Sequence, residues 1–335
     1  MISVHRYAYT PPPLFTPLQI PDEGTLRELT KKLILEGVTT STARKYTYSQ
    51  QTFYRFCLER GKIAVPCSKE TFLNYAAWLR LHKRLGPEAV RGHLAAVKQL
   101  HTINGVELTA GNDPRVKLLR RAANKRSSPG DARTPVSWEI LKVVLARLAG
   151  KDGPDDKLIS AAAALGYFGF LRVSEICGRE GPDGNQGLMI QNLSMAQLTL
   201  LIRLEESKGD TRREGAVISF NAIPEASCPL KLLAEYLAVR PRSGGIGPLF
   251  LKQDGSPMSA AWFRAHLKKE CEAAGFKGDF NAHSLSIGAA TDAANKGIPA
   301  YTIKLLGRWK SDAFLRYLRP SSGQLGASRA PLAAL

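Results

Sequence analysis

The second half of the chain carries several residues with the chemistry needed to cleave a phosphodiester. The transition state of phosphoryl transfer carries negative charge on its equatorial oxygens, which arginine, lysine and histidine donors can stabilise without a metal. Arg172 follows an apolar run in FGFLRVSEICG, and Glu175 lies three residues later, where its carboxylate can orient the guanidinium. Lys208 lies at the turn of LEESKGDTRREG, and His283 precedes a helix rich in small residues. Together these side chains could bind a scissile phosphate and protonate a leaving oxygen.

A candidate nucleophile lies near the end of the chain, in LGRWKSDAFLRYLRP. Tyr317 has a phenol with a pKa near 10, so it needs neighbouring cations or a base before it can attack phosphorus. Each of these residues also has an ordinary structural explanation. The alternatives are a helix-surface ion pair, a solvated lysine, a structural histidine and a tyrosine in a hydrophobic core.

Taken in order, the residues resemble the tyrosine recombinase/integrase family, the group that includes Cre, lambda integrase and the Xer recombinases. The shared features are an arginine with glutamate three residues later, a lysine on a β-hairpin, a histidine that opens a helix, and a tyrosine eight residues after the tryptophan of GRW. The motifs HSLSIGAAT and LGRWKSDAFLRY most resemble those of recombinases from eukaryotic DIRS-like and Crypton-like mobile elements. The resemblance covers about residues 40–320, with its specific motifs in four short stretches.

The resemblance implies a role for each motif residue. It makes Arg172 the first catalytic arginine supported by Glu175, Lys208 the hairpin lysine, His283 the start of the family's H-x-x-R, Trp309 the residue at its His/Trp position, and Tyr317 the nucleophile. Tyr317 would form a 3′-phosphotyrosyl link and free a 5′-hydroxyl. The resemblance implies that this chemistry needs no metal and no cofactor.

Two positions depart from the family's pattern. Trp309 lies eight rather than the commoner nine residues before Tyr317, so Arg308 is a competing assignment for the His/Trp position. Ser286 stands in HSLS where the family has its second arginine. A serine offers one short neutral hydroxyl in place of two charge-assisted donors, so stabilisation of the transition state falls. Losing one such donor costs about 3 kcal/mol, or on the order of 10²- to 10³-fold in rate.

Three explanations of Ser286 stay open. The chain is a natural degenerate copy, or it carries a deliberate substitution that traps a DNA complex, or another arginine such as Arg319 or Arg308 supplies the missing charge. The predicted function is a site-specific DNA recombinase or integrase that is impaired at this position. The alternative is a domesticated or decayed integrase that binds DNA without catalysis.

The composition favours an anionic polymer as the partner. The 335 residues include 47 Lys and Arg against 29 Asp and Glu, a formal charge of +18, which attracts nucleic acid and could also attract a membrane surface. The longest apolar runs fall short of the roughly 20 residues of a spanning helix, and the N-terminus lacks a signal-peptide pattern. We therefore expect no membrane anchor and no secretion, with the protein in the nucleus of a eukaryotic host or otherwise in the cytoplasm.

The cysteines give no sign of a covalent or metal framework. The five cysteines are scattered along the chain, without a C-x-x-C pair. Neither a disulfide framework nor a zinc site is predicted, so no metal site is expected. We interpret the cysteines as reduced and mostly buried, since free cysteine behaves as a small hydrophobic residue.

Hydrophobic periodicity predicts the elements that must position the motif residues. Apolar residues at three-to-four spacing predict helices from Glu23 to about Lys125, and again in most of the chain after residue 137. Two strand-like runs, LTLLIRLEES and GAVISFNA, are joined by KGDTRREG as a β-hairpin with a basic tip. The stretch NKRSSPGDARTPVS combines charge, Gly and Pro without apolar periodicity, which is typical of an interdomain linker.

These signals predict five parts of the chain. They are a Pro-rich arm (1–22), a helical domain (23–126), a linker (127–136), a mixed α/β domain (137–320) and a Gly/Ser/Ala-rich tail (321–335). The predicted fold class is mainly α with a small β-sheet. The resemblance implies that the helical domain is the family's SAM-like core-binding domain and that the mixed domain is its catalytic domain. The two would close around duplex DNA as a C-shaped clamp.

Basic helices of the helical domain are predicted to contact DNA phosphates, a salt-dependent interaction. The candidate side chains are Lys45, Arg91, Lys98, Arg115, Lys117, Arg120 and Arg121. The resemblance also implies a homo-tetramer assembled on two recombination sites. The tail could dock on a neighbouring protomer, and a disordered tail is the alternative.

Overall fold

The computed structural model describes residues 22–38, 40–125, 134–177, 187–205, 215–241, 245–281 and 283–318. The chain divides into two units, Met1–Pro129 and Gly130–Leu335, and the division falls inside the stretch predicted as a linker. Lys208, Arg319, most of the predicted arm and the predicted tail lie outside the described residues.

Five α-helices form the described part of the first unit. They are α1 (Glu23–Glu36), α2 (Thr40–Leu58), α3 (Lys69–Leu81), α4 (Pro87–Ile103) and α5 (Pro114–Lys125), with a 3₁₀ helix at Thr109–Asn112. The Ser68 hydroxyl caps α3 by accepting a hydrogen bond from the Thr71 N–H at 3.1 Å. Pro87 opens α4, where a backbone N–H would have no intrahelical acceptor. The helical character predicted for this part of the chain is confirmed.

The core of the first unit is rich in aromatic rings. Phe53, Phe56 and Tyr75 are buried, and the Tyr75 ring centroid lies 4.9 Å from that of Phe53 and 5.1 Å from that of Phe56. The Tyr75 hydroxyl lies 3.0 Å from Nδ1 of the buried His93. This contact satisfies two buried polar groups and joins α3 to α4.

Seven α-helices and a small sheet form the described part of the second unit. The helices are α6 (Trp138–Ala149), α7 (Pro154–Phe168), α8 (Val173–Ile176), α9 (Pro229–Val239), α10 (Ala260–Ala273), α11 (Ser284–Asn295) and α12 (Ala300–Leu306). The strands are β1 (Leu193–Ala196), β2 (Thr199–Leu204) and β3 (Ala216–Asn221). Two 3₁₀ helices lie at Ile190–Asn192 and Asp312–Tyr317, and the second replaces the α-helix predicted for SDAFLRYLR.

The sheet is antiparallel with strand order β1-β2-β3. Leu200 of β2 lies opposite Phe220 of β3, and both are buried together with Ile202. One face of the sheet therefore packs on the core. The predicted hairpin of β2 and β3 is confirmed. The sequence did not predict β1, because its Leu-Ser-Met-Ala residues carry little preference for strands.

Helix α7 lies at the centre of the second unit. Its residues from Leu158 to Tyr167 are all buried. Gly166 permits a close approach, because a Cβ at this position would lie 2.9 Å from the Leu285 side chain and 3.0 Å from that of Ile176. The approach brings α8, which follows Arg172, and α11, which follows His283, onto the same buried helix.

Candidate active site

Arg172 is held by Glu175 at the start of α8. The Glu175 carboxylate accepts the Arg172 backbone N–H at 2.9 Å and the Arg172 Nη1 at 2.6 Å. The first bond caps the helix by satisfying an N–H that has no intrahelical acceptor. The Glu175 side chain is 2 % exposed and that of Arg172 is 11 % exposed. The pair is therefore a buried, charge-assisted contact rather than the surface ion pair that the sequence left as an alternative.

Arg308 reaches the same carboxylate from the far end of the chain. Its Nη2 lies 3.2 Å from Glu175 Oε2 and 3.3 Å from the Phe170 carbonyl oxygen. Its Nη1 donates to the carbonyl oxygens of Gly169 and Leu306, each at 3.0 Å. Burial lowers the pKa of the Arg308 guanidinium, and the neighbouring Glu175 carboxylate opposes this shift.

Two residues around this contact have a left-handed backbone. Phe170 has a φ of +51° and Arg308 a φ of +53°. Residues with a Cβ rarely adopt this conformation, and they persist where surrounding contacts fix them, often at functional sites. Here the Arg308 guanidinium donates to the Phe170 carbonyl, so the two strained positions are bonded to each other.

Trp309 packs against the segment that carries the candidate nucleophile. Its ring is stacked on Phe314 with centroids 5.3 Å apart and meets Phe170 edge-on at 6.2 Å. Lys304 of α12 binds Asp312 at 2.7 Å and ties the same segment to the helix before it. The backbone of Tyr317 ends this 3₁₀ helix, and its side chain lies outside the described atoms.

His283 immediately precedes α11, and Ser286 lies in its first turn. The His283 N–H donates to the Asn281 side-chain oxygen at 3.2 Å, just before the helix begins. The Ser286 hydroxyl donates to the His283 carbonyl oxygen at 3.2 Å, and Ser286 is 3 % exposed. Its one hydrogen is thus used within its own helix, as is common for helical serine.

Helix α11 is anchored by residues at the end of the predicted linker and just after it. The Val136 N–H donates to the Ser284 carbonyl at 2.9 Å, and Gly288 packs on the Val136 carbonyl so closely that a Cβ would overlap it. Asp292 accepts the Trp138 N–H at 2.5 Å and the Tyr167 hydroxyl at 2.6 Å.

Residues 134–136, which the sequence assigned to the linker, therefore pack on the second unit. Val136 is fully buried, and the Thr134 N–H donates to the Asp279 carbonyl at 3.0 Å. This packing was not predictable from the sequence, because three residues are too few to show an apolar period.

Comparison with known proteins identifies this unit. The sequence model of the phage integrase family matches residues 146–321, just over half of the chain and a range that includes both Arg172 and Tyr317. The chain belongs to the phage integrase family. The predicted resemblance to tyrosine recombinases is confirmed.

The relatives of this integrase-family chain agree in sequence and in fold. It is 24% identical over 300 residues to an integrase/recombinase xerD homolog from Selenomonas ruminantium, which covers 86% of this chain and 84% of that protein. It is similar to the Tn1549 transposon integrase in complex with transposon right end DNA (TM-score 0.58, 14% identity, 92% of this chain, 99% of that one). It is also similar to a lambda integrase dimer bound to a COC′ core site (TM-score 0.55, 14% identity, 89% and 96%). At these identities the two structural matches establish the fold.

Six of the seven cations predicted to contact DNA lie on the surface of the first unit. Lys45, Arg91, Lys98, Arg115, Lys117 and Arg121 are exposed, and the Arg120 side chain lies outside the described atoms. Two of them have acidic partners, because Arg91 binds Glu88 and Arg115 binds Asp113 at 2.7 Å. The hydrogen bonds from Arg115 lower the pKa of Asp113 to about 2. Each of these two ion pairs contributes less net positive charge to the surface than its arginine would alone.

Other predicted features concern metals and membranes. In the described ranges, no three His, Cys, Asp or Glu side chains are grouped as metal ligands. All five cysteines are free thiols, and four of them are buried. Among the described helices, none combines the length and apolar character needed to span a bilayer.

Proposed function

We propose that this integrase-family chain breaks and rejoins duplex DNA, with Tyr317 as the nucleophile and Arg172, Lys208 and His283 around the scissile phosphate. One observation carries the proposal. Arg308, nine residues before Tyr317 in the sequence, donates to Glu175, the carboxylate that binds Arg172. The segment that ends in the tyrosine is therefore joined to the arginine that would stabilise the transition state.

The proposed reaction is reversible and needs no external energy. The Tyr317 oxygen forms a bond to phosphorus as the bond from phosphorus to the 5′-oxygen breaks, which yields a 3′-phosphotyrosyl link. The tyrosine proton passes to a base or to water, and the leaving 5′-oxygen gains a proton, for which Lys208 is the candidate donor. A 5′-hydroxyl of the partner strand then attacks the phosphotyrosyl link and releases Tyr317.

The electrostatics of the site support a slow reaction. Arg172 has donors that no described residue accepts, since its contacts to Glu175 use the backbone N–H and Nη1. The Ser286 hydrogen is directed to the His283 carbonyl. Removing a transition-state donor costs about 3 kcal/mol, so we expect cleavage on the order of 10²- to 10³-fold slower than with arginine at this position.

Duplex DNA is the proposed partner. The formal charge of +18 and the exposed cations of the first unit favour a polyanion. The Tn1549 and lambda integrases, which share the fold, are both described in DNA complexes. A homo-tetramer on two recombination sites is the corresponding proposed assembly.

A second candidate function is DNA binding without catalysis. It is favoured by the buried Ser286, whose hydroxyl is bonded within its own helix. A nicked suicide duplex distinguishes the two, because its short cleaved strand diffuses away and leaves protein joined to DNA. Covalent protein on a denaturing gel that disappears with Tyr317→Phe supports the recombinase. Tight binding of the duplex without any covalent product supports the binding protein.

A further inference from the structure

Nearly every donor of Arg308 is used inside the protein. A guanidinium offers five N–H groups, of which four are on its two terminal nitrogens. Those four have acceptors in Gly169, Leu306, Phe170 and Glu175. The remaining Nε is buried and has no acceptor among the described residues. The terminal donors of Arg308 are therefore engaged within the protein rather than offered to a phosphate.

Glu175 is shared between two guanidiniums. Its Oε1 accepts Arg172 Nη1, and its Oε2 accepts both the Arg172 backbone N–H and Arg308 Nη2. A buried carboxylate needs charged partners on its lone pairs, and loss of one partner leaves it poorly satisfied. The orientation of Glu175, and with it that of Arg172, thus depends on Arg308.

The backbone geometry also links Arg308 to the position of Arg172. Phe170 lies two residues before Arg172, and its left-handed conformation sets the turn from α7 into α8. Arg308 donates to the carbonyls of Gly169 and Phe170, so it fixes this turn as well as the carboxylate. Its own left-handed conformation is maintained by the same contacts.

We propose that Arg308 is a positioning residue that fixes Glu175 and the Gly169–Phe170 turn, and through them the guanidinium of Arg172. The inference rests on the proposed function, which gives Arg172 its role at the phosphate. It assigns Arg308 to the support of Arg172 rather than to the place of the missing second arginine. The charge lost at Ser286 is then not replaced by Arg308.

A double-mutant cycle on the full-length chain tests this assignment. The variants are Arg308→Gln, Glu175→Gln and the double variant, with Arg264→Gln as a control because Arg264 is exposed on α10 and bonds within its own helix. The first measurement is hydrogen exchange of the Arg172 amide, whose acceptor is Glu175. We expect Arg308→Gln to accelerate this exchange at least 10-fold and Arg264→Gln to leave it unchanged.

The second measurement is the rate of covalent adduct formation on a nicked suicide duplex. We expect Arg308→Gln to slow it by about 10- to 10²-fold, the effect of a misplaced catalytic group. The double variant should be no more than about 3-fold slower than the slower single variant, because both substitutions act on one carboxylate. Arg308→Lys keeps the charge without the fork of donors, so it should resemble Arg308→Gln.

Three results would overturn the assignment. One is multiplication of the two single effects in the double variant, as expected if Arg308 binds the phosphate by itself. The others are unchanged Arg172 exchange in Arg308→Gln, or full activity of Arg308→Lys. If no variant and not even the unsubstituted chain forms an adduct, the proposed function fails, and the exchange measurement alone decides whether Arg308 positions Arg172. Thermal unfolding of each variant identifies those that fail to fold.

Discussion

Replacement of Ser286 by arginine is expected to raise the rate of DNA cleavage. Ser286 contributes no donor beyond its helix, because its hydroxyl is bonded to the His283 carbonyl and the residue is 3 % exposed. Arg308 has its terminal donors engaged by four acceptors and offers no substitute. Ser286→Arg therefore adds charge-assisted donors at a position that lacks them.

The expected gain in cleavage rate is taken from the loss of rate that other enzymes show when one such donor is removed. One donor to a developing negative charge contributes about 3 kcal/mol, so formation of the covalent Tyr317 adduct should accelerate at least about 10²-fold. The helix itself should tolerate the change, since arginine favours helices at least as much as serine does. The bond that is lost lies within one turn of α11 and contributes little to folding.

The assay compares three forms of the full-length chain on a nicked suicide duplex. They are the unsubstituted chain, Ser286→Arg, and Ser286→Gln as a control for side-chain length without charge. Adduct is measured on a denaturing gel, and mass spectrometry locates the link on Tyr317. A gain for Ser286→Gln equal to that for Ser286→Arg would refute the electrostatic argument. Efficient cleavage by the unsubstituted chain with no gain from arginine would show that another residue supplies the charge.

Three further results are expected. Tyr317→Phe should abolish the adduct and leave DNA affinity within about 2-fold, with binding that weakens steeply as salt rises in a gel-shift series; salt-insensitive binding would contradict a phosphate-dominated interface. Limited proteolysis of the DNA-free protein should cut first within residues 127–133, where Pro, Gly and Ser occur without apolar anchors, and first cuts within 40–100 would contradict this boundary. Burial lowers the pKa of His93 below the ordinary 6.5, so the unfolded chain binds this proton more readily and stability is lost as pH falls through about 6.5. Urea unfolding at pH 7.5 and 5.5 should show less acid destabilisation for His93→Gln than for the unsubstituted chain, and equal losses would exclude His93 as the cause.

Local signals in the sequence were sufficient to predict most secondary-structure elements and the family. Three-to-four spacing of apolar residues predicted the helices of both units, and period-two runs on either side of KGDTRREG predicted the β2–β3 hairpin. The order from Arg172 to Tyr317 was enough to identify a tyrosine recombinase. These features depend on residues that are close together in the chain, or on the order of motifs, which can be recognised without knowledge of tertiary contacts. The similarity to DIRS-like and Crypton-like elements, the catalytic roles of the individual residues and the exact domain limits remain predictions.

Only the tertiary structure decided which charges meet. The contact between Arg308 and Glu175 spans 133 residues, and no periodicity or spacing encodes a pairing at that distance. The burial of Val136 against α11 likewise depends on the small size of Gly288, which matters only once the two segments are packed together. The left-handed φ angles of Phe170 and Arg308 are also set by tertiary structure. Backbone propensity opposes these angles, and the surrounding hydrogen bonds impose them. Local sequence therefore determines the elements, whereas long-range packing and buried hydrogen bonds determine the electrostatics of the candidate active site.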